Sequence, residues 1–131
     1  TSVASGNTYA YRVMAVNAAG NSPYSNTSTI SLLPPAAPSN LTASAARRGN
    51  NARVTLVWVD NSDNESGFRI QWATNADFTA NLQTRTVGAN VTTFNTGNIA
   101  RNTNFYFRIQ AYNLAGTSAW VNAVPFPITT P

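Results

Sequence analysis

The 131-residue chain reads as an all-β fold, a sandwich or a barrel, on three observations. Apolar and polar residues alternate with period two along most of its hydrophobic stretches, which is the pattern of half-buried strands. Clusters of Asn, Asp, Gly, Ser and Thr separate those stretches at short intervals, as turns do. Charged residues make up only 9%, against about 25% in an ordinary soluble domain. The surface is therefore built from Asn, Thr, Ser and Ala, a composition suited to outward-facing strands and turns and poor in helix formers.

The spacing places seven strands near 39–46, 53–59, 67–73, 83–87, 91–95, 103–112 and 117–125. In the second, Val54, Leu56 and Trp58 alternate with Thr55 and Val57. In the third, Phe68, Ile70 and Trp72 alternate with Arg69 and Gln71. In the sixth, Phe105, Phe107, Ile109 and Ala111 face one way, and Tyr106, Arg108, Gln110 and Tyr112 face the other. "RRGNN" (47–51), "DNSDNESG" (60–67), "TNADFTAN" (74–81), "VGAN" (87–90), "NTGN" (95–98), "ARNTN" (100–104) and "NLAGT" (113–117) are the turns between them. The best helical stretch, 44–52, is interrupted by Gly49-Asn50-Asn51.

An internal repeat organises the chain. "YRVMAVNAAGNS" at 11–22 returns as "FRIQAYNLAGTS" at 107–118, an offset of 96 residues. Arg12, Ala15, Asn17, Ala19, Gly20, Ser22 and Asn26 recur as Arg108, Ala111, Asn113, Ala115, Gly116, Ser118 and Asn122. Tyr24 matches Trp120. A period of this length is domain-sized rather than that of a short solenoid repeat. The expected organisation is a partial domain at 1–33, a Pro-rich linker at 34–38, a complete domain at 39–126 and the start of a further linker at 127–131. The early arrival of the first copy is expected if the sequence begins inside a domain.

Composition excludes several chemistries. There is no Cys and no His, which removes disulfides, thiolate nucleophiles, His-based metal sites and His general bases. All eight basic residues are Arg, and the net charge of +4 reflects scarce acids rather than dense bases. Arg47, Arg48 and Arg53 read as a solvated loop rather than a nucleic-acid stripe. No apolar run approaches the roughly 18 residues of a membrane-spanning helix, and no signal peptide is visible.

The motifs "PSNLTAS" (38–44), "LVWVDNSDNESGFRIQW" (56–72), "GANVTTFNTGN" (88–98) and "FYFRIQAYNLAGTSAW" (105–120) resemble a fibronectin type III domain of the bacterial kind. The resemblance covers 35 to about 126, and residues 1–33 are similar only to the last two strands of such a domain. It implies a seven-stranded Greek-key β-sandwich, immunoglobulin-like in architecture, with an extra N-terminal β-hairpin. It also implies that Trp58 is the central core aromatic, that Leu41 anchors the first strand, and that Ile99 holds the turn before the sixth. The expected core is Leu41, Trp58, Phe68, Ile70, Phe94, Ile99, Phe105, Phe107 and Ile109. The family's corner tyrosine corresponds to Tyr9 in the first copy but to Phe105 in the second, which forgoes a hydrogen bond of about 1 kcal/mol.

Asp60, Ser62, Asn64 and Glu65 alternate oxygen-bearing side chains, but Glu65 and Gln71 stand where a calcium loop needs Gly and Glu. A structural turn is expected there, with no metal and no cofactor. The four acids, Asp60, Asp63, Glu65 and Asp77, come without a pocket-forming insertion, so no enzyme activity is expected. Four N-x-S/T sequons carry little weight in a chain this rich in Asn and Thr. Tyr24, Tyr106, Arg108, Tyr112 and Trp120 form the candidate interaction surface. The resemblance implies an extracellular or cell-surface spacer and adhesion module. Its expected partners are other domains, protein partners, a second copy through strand complementation, or a polysaccharide, with no nucleic acid and no membrane insertion. The alternative is an accessory domain of a secreted carbohydrate-active enzyme.

Overall fold

A computed structural model describes residues 8–131, and the first seven residues of the expected partial unit lie outside it. Thirteen strands are formed among the described residues, and no helix. Four belong to an N-terminal arm: β1 (Thr8–Tyr11), β2 (Val16–Asn17), β3 (Gly20–Asn21) and β4 (Ser28–Ser31). β1 pairs antiparallel with β4, and β2 with β3.

The other nine build a sandwich. β5 (Ser39–Arg48), β6 (Asn51–Val59) and β9 (Thr93–Asn95) make one sheet in the order β5-β6-β9. β7 (Gly67–Ala73), β8 (Gln83–Gly88), β10 (Asn104–Asn113) and β11 (Gly116–Thr117) make the other, in the order β11-β10-β7-β8. The chain crosses between sheets after β6, after β8 and after β9, which is how sequential hairpins become two packed layers. β12 (Val121–Asn122) and β13 (Ile128–Thr129) also pair with β10.

Register explains the core. Phe107 lies opposite Trp72, Ile109 opposite Ile70 and Ala111 opposite Phe68, so these side chains share the inner face of the second sheet. Leu41, Ala43, Val54, Leu56 and Trp58 close on them from the first sheet. Leu41, Trp58, Phe68, Ile70, Phe105, Phe107 and Ile109 are buried, while Phe94 and Ile99 are half-buried and pack against the cluster from its edge. Stretch 44–52 is a hairpin, with Arg48 paired to Asn51 across the Gly49-Asn50 turn.

The C-terminal part departs from the expected single strand at 117–125. After β12 the backbone changes partner: Ala43 N–H donates to Val124 O at 3.0 Å and Val124 N–H to Leu41 O at 2.9 Å, bridging to β5. Pro125 and Pro127 have no N–H to continue a ladder. Past them, Ile128 and Thr129 rejoin β10 opposite Phe105 and Asn104. Residues 127–131, expected as linker, therefore close the sandwich. Ile128 and Thr130 are buried, and Thr130 Oγ1 donates to the Ala100 carbonyl at 2.8 Å.

Candidate interaction surface and linker seat

The outer face of the second sheet carries a ladder of long polar side chains. Register sets Arg108 opposite Gln71 and Gln110 opposite Arg69. Nε and Nη2 of Arg108 both donate to Gln71 Oε1, at 2.9 and 2.6 Å. Gln71 Nε2 donates onward to Thr84 Oγ1 at 3.2 Å. Buried Gln110, with its amide turned to suit both neighbours, accepts from Arg69 Nη1 at 3.0 Å and donates to the Ser118 carbonyl at 3.3 Å.

Aromatic rings clamp this ladder. The Arg108 guanidinium lies 4.0 Å from the ring centre of Phe78 and 4.4 Å from that of Trp120, a double cation–π stack. Burial between the rings lowers the Arg108 pKa, yet an arginine stays charged at any ordinary pH. Phe126 sits beside Phe78 at 6.3 Å and takes Tyr106 edge-on at 4.9 Å. The structure thus brings Tyr106, Arg108 and Trp120 into one patch. Tyr112 lies further along β10, its ring centre 5.6 Å from the Arg69 guanidinium. Tyr24 is on the arm, where its ring stacks on Arg12 at 3.8 Å. Arg12–Tyr24 is thus the counterpart of Arg108–Trp120 at the same offset of 96 residues.

The 60–67 loop is closed by its own hydrogen bonds. Glu65 is buried, Oε2 accepting from Ser62 Oγ at 2.7 Å and Oε1 from Asn90 N–H at 3.1 Å. Asp60 Oδ1 accepts from Ser62 N–H at 3.1 Å. Burial opposes the charge on Glu65, but donors from Ser62, the residue's own amide and Asn90 outweigh it and hold its pKa below the ordinary 4.5. A depressed folded pKa contributes stability that is present above 4.5 and lost as pH falls through the lower folded value. The melting temperature should fall on acidification below about pH 4.5. Glu65→Gln should flatten that limb and cost about 1–3 kcal/mol at neutral pH. A thermal melt series from pH 7 to 3 on both proteins checks this, and equal acid limbs would contradict it.

The same loop seats the linker. The Leu33 carbonyl accepts two side-chain amides, Asn113 Nδ2 at 2.8 Å and Asn64 Nδ2 at 3.1 Å. Asn113 Nδ2 also reaches the Asn64 carbonyl at 3.1 Å, tying the two loops together. Asn61 Nδ2 donates to the Ala37 carbonyl at 2.9 Å. Pro34 lies against Gly116, where a Cβ would be in ordinary van der Waals contact with its Cγ at 3.4 Å, and Pro35 and Pro38 are buried. Gly116 has φ +152°, and Asn113 Oδ1 accepts from the Ala115 and Gly116 amides at 2.8 and 3.2 Å, fixing the turn that presents Nδ2.

The profile of the Fibronectin type III domain matches residues 36–126. The chain belongs to the fibronectin type III family. A crystal structure of chicken CNTN1 FN1-FN3 domains superposes with a TM-score of 0.62 at 22% identity, covering 98% of this chain and 44% of that one. The chain thus spans less than half of that structure. The fn3 domain of the human collagen alpha-1(XX) chain gives 0.58 at 18%, over 74% and 86% of the two chains. A myokine structure gives 0.53 at 21%, over 74% and 98%. No curated protein matches the sequence. Fibronectin type III domains are typically non-catalytic modules of multidomain proteins and generally mediate protein–protein interactions.

Within this fibronectin type III sandwich, sequence reasoning missed Phe78, Phe126 and the three clasping asparagines. Phe78 sits at φ +56° in a turn cluster, where period-two patterning gives no signal, yet it is buried. A lone aromatic inside "TNADFTAN" was the available sign. Asn61, Asn64 and Asn113 were hidden by the abundance of Asn; only the repeat of Asn113 at Asn17 marked one of them.

Proposed function

We propose that the chain is a non-catalytic spacer and interaction module of a tandem-repeat surface or secreted protein, with neighbouring units held at a fixed angle. The observation that carries this reading is the Leu33 carbonyl held by both Asn113 and Asn64. Inter-domain linkers ordinarily allow relative motion. Here two loops of the sandwich grip the linker backbone, and the buried Pro35 and Pro38 restrict the rest. Under this reading residues 1–33 are the last two strands of a preceding fibronectin type III unit of the bacterial kind. Duplicate hydrogen bonds support it: Ser22 N–H to Ala15 O and Ser118 N–H to Ala111 O are both 2.9 Å. The half-buried Tyr106–Arg108–Trp120 patch, on the outer face of the second sheet, is the surface offered to a protein partner.

A second reading, assembly into fibres by strand complementation, is favoured by the arm. Tyr11 is 51% and Ile30 59% exposed, and with Tyr9 and Leu32 they line an apolar cavity of about 270 Å³.

The chain has no Cys, so Thr29→Cys and Thr86→Cys place two spin labels cleanly. Electron–electron distances should be narrowly distributed in that background. They should broaden in Asn64→Ala/Asn113→Ala. Equal, broad distributions in both proteins would remove the fixed joint.

A further inference from the structure

The turn that seats the linker occurs twice in the chain. At 113–116 it holds Leu33 and Pro34. At 17–20 the strand pairing and most of the internal hydrogen bonds recur, although the bond from Gly116 N–H to Asn113 Oδ1 has no counterpart at Gly20 among the described residues. Val16 pairs with Asn21 and Asn17 with Gly20, as Tyr112 pairs with Thr117 and Asn113 with Gly116. Ala19 N–H donates to Asn17 Oδ1 at 2.9 Å, as Ala115 N–H does to Asn113 Oδ1 at 2.8 Å. Ser22 Oγ accepts from Ala15 N–H at 2.9 Å, as Ser118 Oγ does from Ala111 N–H at 2.9 Å. Gly20 and Gly116 have φ of +139° and +152°.

The two turns differ in what lies against them. A Cβ on Gly116 would touch Pro34, whereas a Cβ on Gly20 would meet nothing within 4 Å. Asn113 Nδ2 donates to Leu33 O, whereas Asn17 Nδ2 donates to no described residue. A shallow cavity of about 360 Å³ is formed by residues 15–17 and 19–22.

We propose that the Asn17–Gly20 turn is a docking seat for an extended Leu-Pro-Pro segment of the kind found at 32–35. The backbone carbonyl before the first proline would accept from Asn17 Nδ2, and the proline ring would lie on Gly20. Proline suits the seat physically. Its fixed φ holds the segment extended, and the missing N–H leaves no donor to bury against the turn. Glycine at position 20 supplies the positive φ that shapes the turn, as Gly116 does in the occupied seat. The inference rests on the spacer reading, since a second seat of this kind acts by registering units in series.

The expected strength follows from the contacts. The seat at 113–116 has Asn64 as a second donor to the same carbonyl, and no described residue plays that part at 17–20. Binding in trans should therefore be weak, with Kd on the order of 1 mM. That suffices in a tandem protein, where a short link supplies an effective concentration in the millimolar range.

The test is an NMR titration of the isotopically labelled full chain with the synthetic peptide of residues 31–38, up to about ten times the expected Kd. Saturating shifts are expected at the Asn17 side-chain amide and at the Ala19 and Gly20 amides. The 113–116 turn should stay still because its seat is filled. Asn17→Ala should weaken binding about fivefold or more. Its β1 and β4 amide positions should be unchanged, which confirms that the arm still folds. Replacing both adjacent prolines of the peptide by alanine should weaken it as well. No saturating shift at 15–22, or the same shifts in Asn17→Ala, would overturn the proposal. The spin-label distances across the 33–38 joint do not depend on this peptide, so a failed titration leaves the fixed joint standing, and the reverse.

Discussion

Trp58→Ala should lower the unfolding free energy by about 3–5 kcal/mol, which would leave a domain of ordinary stability close to its folding threshold. Trp58 is 2% exposed, within the core cluster between the two sheets. It meets the edge of Phe68 at 5.5 Å between centroids. Truncation removes a large apolar contact and leaves a cavity that Leu41 and Phe68, anchored in opposite sheets, have little freedom to fill. Trp58→Phe should behave quite differently. Trp58 Nε1 is the buried side-chain polar atom without a partner among the described residues. Removing that donor relieves a desolvation cost of about 1–3 kcal/mol and offsets much of the lost volume. A net loss below about 2 kcal/mol is expected for Trp58→Phe. Urea unfolding of the three proteins checks both values. A phenylalanine variant as unstable as the alanine variant would show that the indole N–H carries no such cost.

Gly67→Ala should cost about 1–3 kcal/mol through crowding, and the damage should fall on one edge of the sandwich. Gly67 opens β7 opposite Gly88 of β8. A Cβ there would run into the Val87 carbonyl oxygen and come within 3.2 Å of the Tyr112 hydroxyl. The carbonyl belongs to the edge strand, so the relief available is for β8 to move away from β7. Gly88→Ala is the control, since a Cβ at that position meets nothing within 4 Å. It should change stability by less than about 0.5 kcal/mol. Hydrogen exchange should show lost protection at 83–88 in Gly67→Ala with β6 unchanged. Uniform loss across both sheets would contradict the local mechanism.

The parts of the fold legible in the sequence are those where one face of a strand is buried. Apolar and polar residues alternate from Phe68 to Trp72 in β7 and from Phe107 to Ala111 in β10, so Phe68, Ile70, Phe107 and Ile109 could be assigned to the core from period alone. The C-terminal end was not legible in this way. The partner change at Val124 and the return at Ile128 follow from two prolines whose neighbours pair with different strands. A linear hydropathy pattern carries no record of which strand a residue joins. The surface patch was half visible. Arg108 and Trp120 stood out as residues, and the repeat matched them to Arg12 and Tyr24, but the stacking needed Phe78 from a turn. The linker seat was least visible. It is made by asparagine side chains from two loops acting on a backbone carbonyl, and the residue at position 33 leaves no trace of that carbonyl's role.

In the spacer reading, residues 8–31 and the sandwich are held in one orientation by the grip on Leu33. Amide residual dipolar couplings of the full chain in a weakly aligning medium test it most directly. A single alignment tensor of one magnitude should fit residues 8–31 and 36–131 together, and Asn64→Ala/Asn113→Ala should split it in two. A separate, smaller tensor for residues 8–31 in the unaltered chain would contradict the claim.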